Sequence, residues 1–342
     1  MSGECFRGAP TEESVRIFLA FFSLRRNILM IDFKNYDEQI DILKNRGLSI
    51  SKDAKTKQIL KINNYYNVIN AYKDIFIQKG ITPEKYIEGV TFEELCALHK
   101  FDKQLRITIS NVLIIIERTL KSIIAHEFSK NCPNHNLDYL NINKYKTEIN
   151  NDGQAATFAS EVVCKLNSEF INAIDHNDDM ICHYKTKYDR VPLWVFINKL
   201  SFGTISKMYS AFTDKDKANV AKSLKEIINR NVYSNEIQNA IKILVILRNR
   251  AAHDQRIYDF SSAPIMVNSS NPFLRQHGLN NVHSLFGAIG CMSVFLMPEE
   301  FQKLLEDIKT LIKTLILSIH SIPMRTILDK MGIPYDFLSE TN

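Results

Sequence analysis

The stretch Ile241–Phe260, IKILVILRNRAAHDQRIYDF, decides how the rest of the chain is read. Its first part is apolar: Ile241, Ile243, Leu244, Val245, Ile246 and Leu247. It then turns polar with Arg248, Asn249, Arg250, His253, Asp254, Gln255 and Arg256. An apolar run of this length with no Gly or Pro belongs to a buried helix. Such a helix, ending in Arg-Asn and then His, carries charge from a core to a surface. The spacing predicts a helix over 235–257 with Asn249 and His253 at i, i+4 on one face. Arg248 and His253 are five apart, which is about 140° around an ideal helix. One copy of the motif therefore does not aim both side chains the same way.

Working outward, the chain reads as all-α. It has 342 residues and 45% hydrophobic content, enough for a sizeable core, with only 11 Gly and 9 Pro. Residues 36–48 carry Ile40, Ile42 and Leu43 and stop at Gly47, a short amphipathic helix. A second helix is expected over 53–71, with Tyr65 and Tyr66 in an Asn-rich setting. They are read first as core and, in the alternative, as a platform for RNA bases. Thr91 followed by Glu94 is a capping box that opens a helical pattern running to Phe128, as one long helix or two. Within it Glu117 and Lys121 are spaced to pair. Residues 131–160, with Pro133 and Gly153, read as a loop region, and helix returns from Ala159 to about Tyr188. Pro192 opens another helix, Gly203 marks a break, and the single tryptophan, Trp194, is expected in the core. Helices at 283–296 and 298–320 follow a polar loop at 261–282. The end, SIPMRTILDKMGIPYDF, reads as a short ordered tail.

Several function classes drop out. No strand–helix alternation and no glycine-rich phosphate loop are visible, which speaks against a nucleotide-fold enzyme. The six cysteines are Cys5, Cys96, Cys132, Cys164, Cys182 and Cys291. They form no C-x-x-C pair and read as reduced cytosolic thiols. Cys132 with His135, and Cys182 with His183, are the only metal-like neighbours. Neither has a second pair at ligand spacing, so neither a metal nor another cofactor is expected. The apolar run within 15–30 is too short to span a membrane and is followed by Arg25-Arg26. Residues 1–29 read as an N-terminal extension, consistent with an over-extended start upstream of Met30, and residues 30–342 as one domain. A cytoplasmic location without a membrane partner is expected. The net charge of +5 permits a polyanionic partner without requiring one.

Arg, Asn and His in this pattern suit RNA cleavage without a metal. A base must take the 2′-OH proton, an acid must protonate the leaving 5′-oxygen, and a cation must steady charge on phosphorus. His does acid or base work near neutrality, and Arg forks onto phosphate oxygens. Arg248, Asn249 and His253 are therefore the candidate catalytic residues. Arg250, Arg256, Tyr258 and Lys121 are candidate RNA-binding residues.

Collinear landmarks reinforce this reading. They include DEQIDILKNRGL (37–48), INNYYNVINAY (62–72), TFEELCALHKFDKQLR (91–106), IIERTLKSIIAH (115–126), HYKTKY (183–188), VPLWVFINKLSFGTISKMYS (191–210), LRNRAAHDQRIYDF (247–260) and MGIPYDF (331–337). Over about 36–337 the chain resembles the Abi family, the AbiD/AbiF-like abortive-infection proteins of the HEPN ribonuclease superfamily. The resemblance implies an all-α HEPN-type helical bundle elaborated with additional helices, and an R-N-x-x-x-H motif at Arg248, Asn249 and His253. It implies metal-independent cleavage of RNA by a homodimer whose two motifs share a cleft. It also implies a toxin role in phage defence, with a structured non-coding RNA as a possible partner. The alternative is a non-cleaving protein that holds a small structured RNA. The family often has a second His directly after the motif His, where this chain has Asp254.

Overall fold

In a computed structural model the described residues are 32–132, 136–146, 154–263 and 283–339. The N-terminal extension lies outside them, as do 133–135 and 147–153 of the loop region expected at 131–160 and 264–282 of the loop expected at 261–282; the described part of 131–160 holds two short 3-10 turns, and from Gln154 it is already helical. Among the described residues there are helices, short 3-10 or π turns and three isolated β-bridges, but no strand. The expected all-α class is what is found.

The chain starts with α1 (Tyr36–Asn45), where Asn35 and Glu38 form a reciprocal cap, and α2 (Asp53–Asn63) packs against it. The helix expected over 53–71 breaks because Asn64 takes φ 64, and a π turn (Tyr66–Asn70) follows. Tyr65 is half-buried, Tyr66 is exposed and Tyr72 is buried in the core.

The backbone of the fold is α3 (Phe92–Lys130), one unbroken helix of 39 residues. Thr91 and Glu94 form the expected capping box. Its buried stripe, with Leu95, Leu98, Leu105, Ile109, Leu113, Ile116 and Leu120, recurs at the three- and four-residue spacing of one helical face. Glu94 does more than cap. Its Oε1 accepts the backbone N–H of His320 at 2.6 Å and of Ser321 at 2.8 Å, so the start of α3 holds the C-terminal chain.

Helices α4 (Gln154–Asp175) and α5 (Asp179–Tyr188) are separated where Asn177 takes φ 49, inside the span read as continuous from Ala159. A single turn, α6 (Leu193–Phe196), leads to α7 (Phe202–Ala211), which is capped by Ser201. Gly203 lies inside α7 and is no break. The chain turns at Leu200 and Ser201 instead, because the Ser201 hydroxyl accepts the Thr204 N–H at 3.1 Å. Thr213 caps α8 (Asp214–Ile228).

The motif helix is α9 (Ser234–Ala252). It packs on α3, on α7 and α8, and on α10 (Leu285–Met292). Ile237, Ala240, Ile241, Ile243, Leu244 and Leu247 are all buried. Helix α11 (Pro298–Ile316) packs along α3, and α12 (Met324–Met331) ends at Gly332, which takes φ 71, before a last 3-10 turn at Tyr335–Leu338. Lys330 of α12 reaches Asp74 at 2.7 Å. Among the described residues no helix is long and apolar enough to cross a membrane. Cys96, Cys132, Cys164, Cys182 and Cys291 are free thiols, and Cys5 lies outside the description. No group of three or more His, Cys, Asp or Glu side chains among the described residues could hold a metal.

Candidate active site at the end of a buried helix

Helix α9 ends at Ala252, earlier than the 257 read from the sequence, and His253 is its C-cap. Asp254 takes the left-handed conformation at φ 54. The Gln255 N–H then donates to the Arg250 carbonyl at 3.0 Å and the Asp254 N–H to that of Ala251 at 3.4 Å. This is a Schellman closure with aspartate where glycine is usual. Left-handed backbone costs an aspartate some energy, and a partner from elsewhere in the chain holds it.

That partner is Arg106 of α3, whose Nη2 donates to Asp254 Oδ1 at 2.6 Å. Arg106 itself is buried, and its Nη1 pairs with Asp102 one turn earlier. Asp102 is wholly buried and accepts from four groups: the Arg106 guanidinium, the Tyr72 hydroxyl at 2.9 Å, the Ile257 N–H at 3.0 Å and the Tyr258 N–H at 2.7 Å. Burial pushes the Asp102 carboxyl up, while Arg106, Tyr72 and the two backbone N–H groups oppose it. Tyr72 in turn takes the His99 ring edge-on at 5.5 Å and stacks with Tyr258 at 6.1 Å. Burial lowers the His99 pKa, and the nearby Arg106 charge lowers it further. The segment that follows the motif is thus latched to α3 by a buried, satisfied polar network. Networks of this kind rigidify and specify a conformation.

Two of the candidate RNA-binding residues belong to this latch and not to an open surface. Tyr258 is buried, so its ring offers no face to a base. Arg256 forks onto Asp259, reaches Asp74 at 2.9 Å and donates to the Ala71 carbonyl. Its charge is already committed within the chain. Arg250 is half-exposed, lies over the Phe260 ring at 5.2 Å and donates weakly to the Ser261 carbonyl at 3.4 Å.

The catalytic candidates are presented differently. Asn249 and His253 are exposed, and neither side chain makes a hydrogen bond to a described residue. They share one face of the helix end, as i, i+4 spacing requires. Arg248 faces another way. Its Nε lies 3.7 Å from Glu117, which also takes Lys121 at 2.8 Å. Arg248 and Lys121 both line a cleft of about 830 Å³ between α3 and the α6 region, whereas Asn249 and His253 do not. Trp194 is 45% exposed on the wall of that cleft, contrary to the expectation that it is core. The structure therefore brings Asn249 and His253 together and sets Arg248 apart with Lys121.

The sequence reading missed Asp102 and Arg106. A signal was present: an acid and a base at i, i+4, one turn apart and in register with the buried Leu98, Phe101, Leu105 and Ile109. A charged pair beside an apolar stripe points to a buried pair with a further partner.

A family model described as Abi-like protein matches residues 58–259. The chain belongs to the Abi-like protein family. The matched span contains Tyr72, Asp102, Arg106, Trp194 and the whole motif, so the latch and the cleft both lie within the matched residues. The helices α10, α11 and α12 lie beyond it. No curated protein and no solved structure matches the chain.

Proposed function

We propose that this Abi-like chain is an endoribonuclease toxin of the HEPN type, acting in abortive infection against phage and cleaving RNA without a metal. The observation that carries the reading is the presentation of His253 and Asn249. Both stand exposed, and free of bonds to the described chain, at the end of a helix whose inner face, from Ile237 to Leu247, is packed in the core. Exposed polar side chains on an over-determined scaffold suit chemistry better than stability.

In this reading His253 moves the protons. One imidazole takes the proton from the 2′-OH while another protonates the 5′-oxygen that leaves. Asn249, on the same face, orients His253 or holds a phosphate oxygen. Arg248 supplies the fixed positive charge that stabilises the phosphorane-like transition state. The positions of the three side chains support a homodimer. A second copy facing the first offers two His253 rings, one as base and one as acid, and lets Arg248 of one copy serve phosphate held by the other. A structured non-coding RNA is a candidate controlling partner. The latch at Asp102 acts through position alone, by fixing the turn that carries His253.

A non-cleaving RNA-binding role has one observation in its favour. The cationic cleft contains Arg248 but neither Asn249 nor His253. Induction of the wild type and of His253→Ala in bacteria, followed by sequencing of RNA ends, separates the two. The nuclease reading expects new ends and growth arrest, during phage challenge if not before, with the wild type alone. Absence of both with the wild type rejects it, and co-purification of the same RNA with both proteins would then support binding without cleavage.

A further inference from the structure

The cleft beside Arg248 is built like a site for a single nucleic-acid strand. One wall is α3, which contributes Ile114, Arg118, Lys121, Ala125 and Ser129, with Lys130 beside them. These recur at three- and four-residue spacing, so they form one face of the helix. The seventeen residues from Ile114 to Lys130 span about 24 Å at the helical rise. That is the reach of several nucleotides and not of one. The opposite wall is Trp194 with Ile197 and Asn198.

Charge and aromatic surface are combined in it. The lining holds four permanent cations, Arg118, Lys121, Lys130 and Arg248, against the single carboxylate of Glu117. Lys121 pairs with Glu117, and Lys130 pairs at 2.9 Å with Glu127, which is buried behind the wall. Arg118 is exposed and makes no ion pair with a described residue. Asn198 spends its amide N–H groups on the Trp194 and Val195 carbonyls, leaving its own carbonyl oxygen as an acceptor. A groove of cations that tracks phosphates, with an aromatic face on which a base stacks, is the recognition chemistry of single-stranded nucleic acid. The cleft is also continuous with the first residue of the motif, because Arg248 lies in its lining.

We propose that this cleft holds single-stranded RNA leading to the cleavage motif, with one base stacked on Trp194 and phosphates on Arg118, Lys121 and Lys130. The identity of the ligand rests on the ribonuclease reading; the place and mode of binding rest on the cleft. Arg248 then stands at the junction, where the strand passes from the cleft toward Asn249 and His253.

Trp194 is the only tryptophan of the chain, so its emission reports on this cleft alone. The test titrates the full-length protein with a short single-stranded oligonucleotide carrying 2′-O-methyl sugars, which cannot be cleaved by 2′-OH attack. Tryptophan emission and the anisotropy of a dye on the oligonucleotide are read together. Binding is expected to quench the tryptophan, and the duplex of the same sequence to quench it less. Trp194→Ala is expected to weaken binding about tenfold, the size of one lost base stack, with Trp194→Phe close to wild type. Arg118→Ala is expected to lower the slope of log affinity against log salt by about 1. The inference is overturned if the oligonucleotide binds with unchanged tryptophan emission and Trp194→Ala binds as wild type does. It is overturned equally if the wild type cleaves RNA but the oligonucleotide does not bind, or if the duplex quenches as strongly as the single strand. Cleavage is scored separately. Loss of quenching with His253-dependent cleavage intact removes the cleft, while quenching without any cleavage removes the nuclease reading and leaves the cleft.

Discussion

Substituting Asp102 with alanine strips four donors of their acceptor at once. What remains is the buried Arg106 guanidinium, held by Asp254 and by long contacts to the Tyr72 hydroxyl and the Gln255 carbonyl, together with the N–H groups of Ile257 and Tyr258 and the Tyr72 hydroxyl. Breaking a buried ion pair by removing one partner costs roughly 3–5 kcal/mol. Orphaned N–H groups add about 1–3 kcal/mol each where water cannot reach them. Asp254 still faces Arg106, and the vacated space admits water, so the effects overlap. We expect a loss of about 4 kcal/mol. That is a large share of the ~5–15 kcal/mol by which folded chains are typically stable. Asp102→Asn keeps a carbonyl oxygen for the two backbone N–H groups but turns an amide and no charge toward Arg106. It should cost about half as much, the value of one charge-assisted bond of roughly 1.5–3 kcal/mol. Urea denaturation checks both, with the midpoint falling at unchanged slope. A loss below about 1 kcal/mol for Asp102→Ala, or equal losses for the two variants, would refute the assignment of Asp102 as the anchor of the motif turn.

Three further outcomes follow from particular contacts. Gly332 has φ 71, and a Cβ there would come within 2.4 Å of the Ser284 hydroxyl that caps α10 through the Gly287 N–H. Gly332→Ala is expected to destabilise by about 2 kcal/mol or more from backbone strain and the disturbed cap, read by thermal or urea unfolding. Burial depresses the His99 pKa, so the unfolded chain binds the proton more tightly. Stability should fall as pH drops through the unfolded value near ~6.5, and His99→Phe should flatten the slope between about pH 7 and pH 5 in a pH series of urea midpoints. Burial raises the Glu94 pKa, but the N–H groups of His320, Ser321 and Thr91 outweigh it and hold the carboxyl below its usual value. Its contribution is therefore present above the unfolded pKa of ~4.3 and is lost as pH falls through the lower folded value. Glu94→Ala should cost about 2–4 kcal/mol near neutrality and show a shallower acid decline.

The elements written in local sequence were legible. Thr91 and Glu94 announce the start of α3, the apolar run from Ile241 to Leu247 announces a buried helix, and Glu117 with Lys121 announces a pair. The errors share a cause, which is contact between residues far apart in the chain. Nothing near Asp254 says that α9 stops at Ala252; the aspartate adopts left-handed backbone with Arg106, 148 residues away, as its partner. Tyr258 looks like a surface aromatic in a polar segment, yet Asp102 takes its N–H and draws it into the core. Arg256 looks available until Asp74 and Ala71 are placed beside it. Gly203 reads as a breaker but sits in a helix, where Ser201 supplies the real start and the position of a Cβ would be 3.9 Å from Val245. Trp194 lies in an apolar segment and still surfaces, because Leu193, Val195, Phe196 and Ile197 occupy the core side of that turn. The candidate triplet Arg248, Asn249 and His253 is read from residue types and spacing alone. The separation of Arg248 from His253 also followed from helical arithmetic, whereas the cleft that receives Arg248 depends on how α3 and α6 meet.

The most direct measurement uses purified wild-type protein and His253→Ala on a defined single-stranded RNA in the presence of EDTA. His253 is exposed and bonded to no described side chain, so the variant should stay within about 0.5 kcal/mol of wild-type stability. The account predicts that the wild type generates ends with a 2′,3′-cyclic phosphate and a 5′-hydroxyl, the products of 2′-OH attack, and that His253→Ala slows their formation by about 10²–10⁴-fold. Equal cleavage by the two proteins, cleavage abolished by EDTA, or intact RNA with the folded wild-type protein would contradict it.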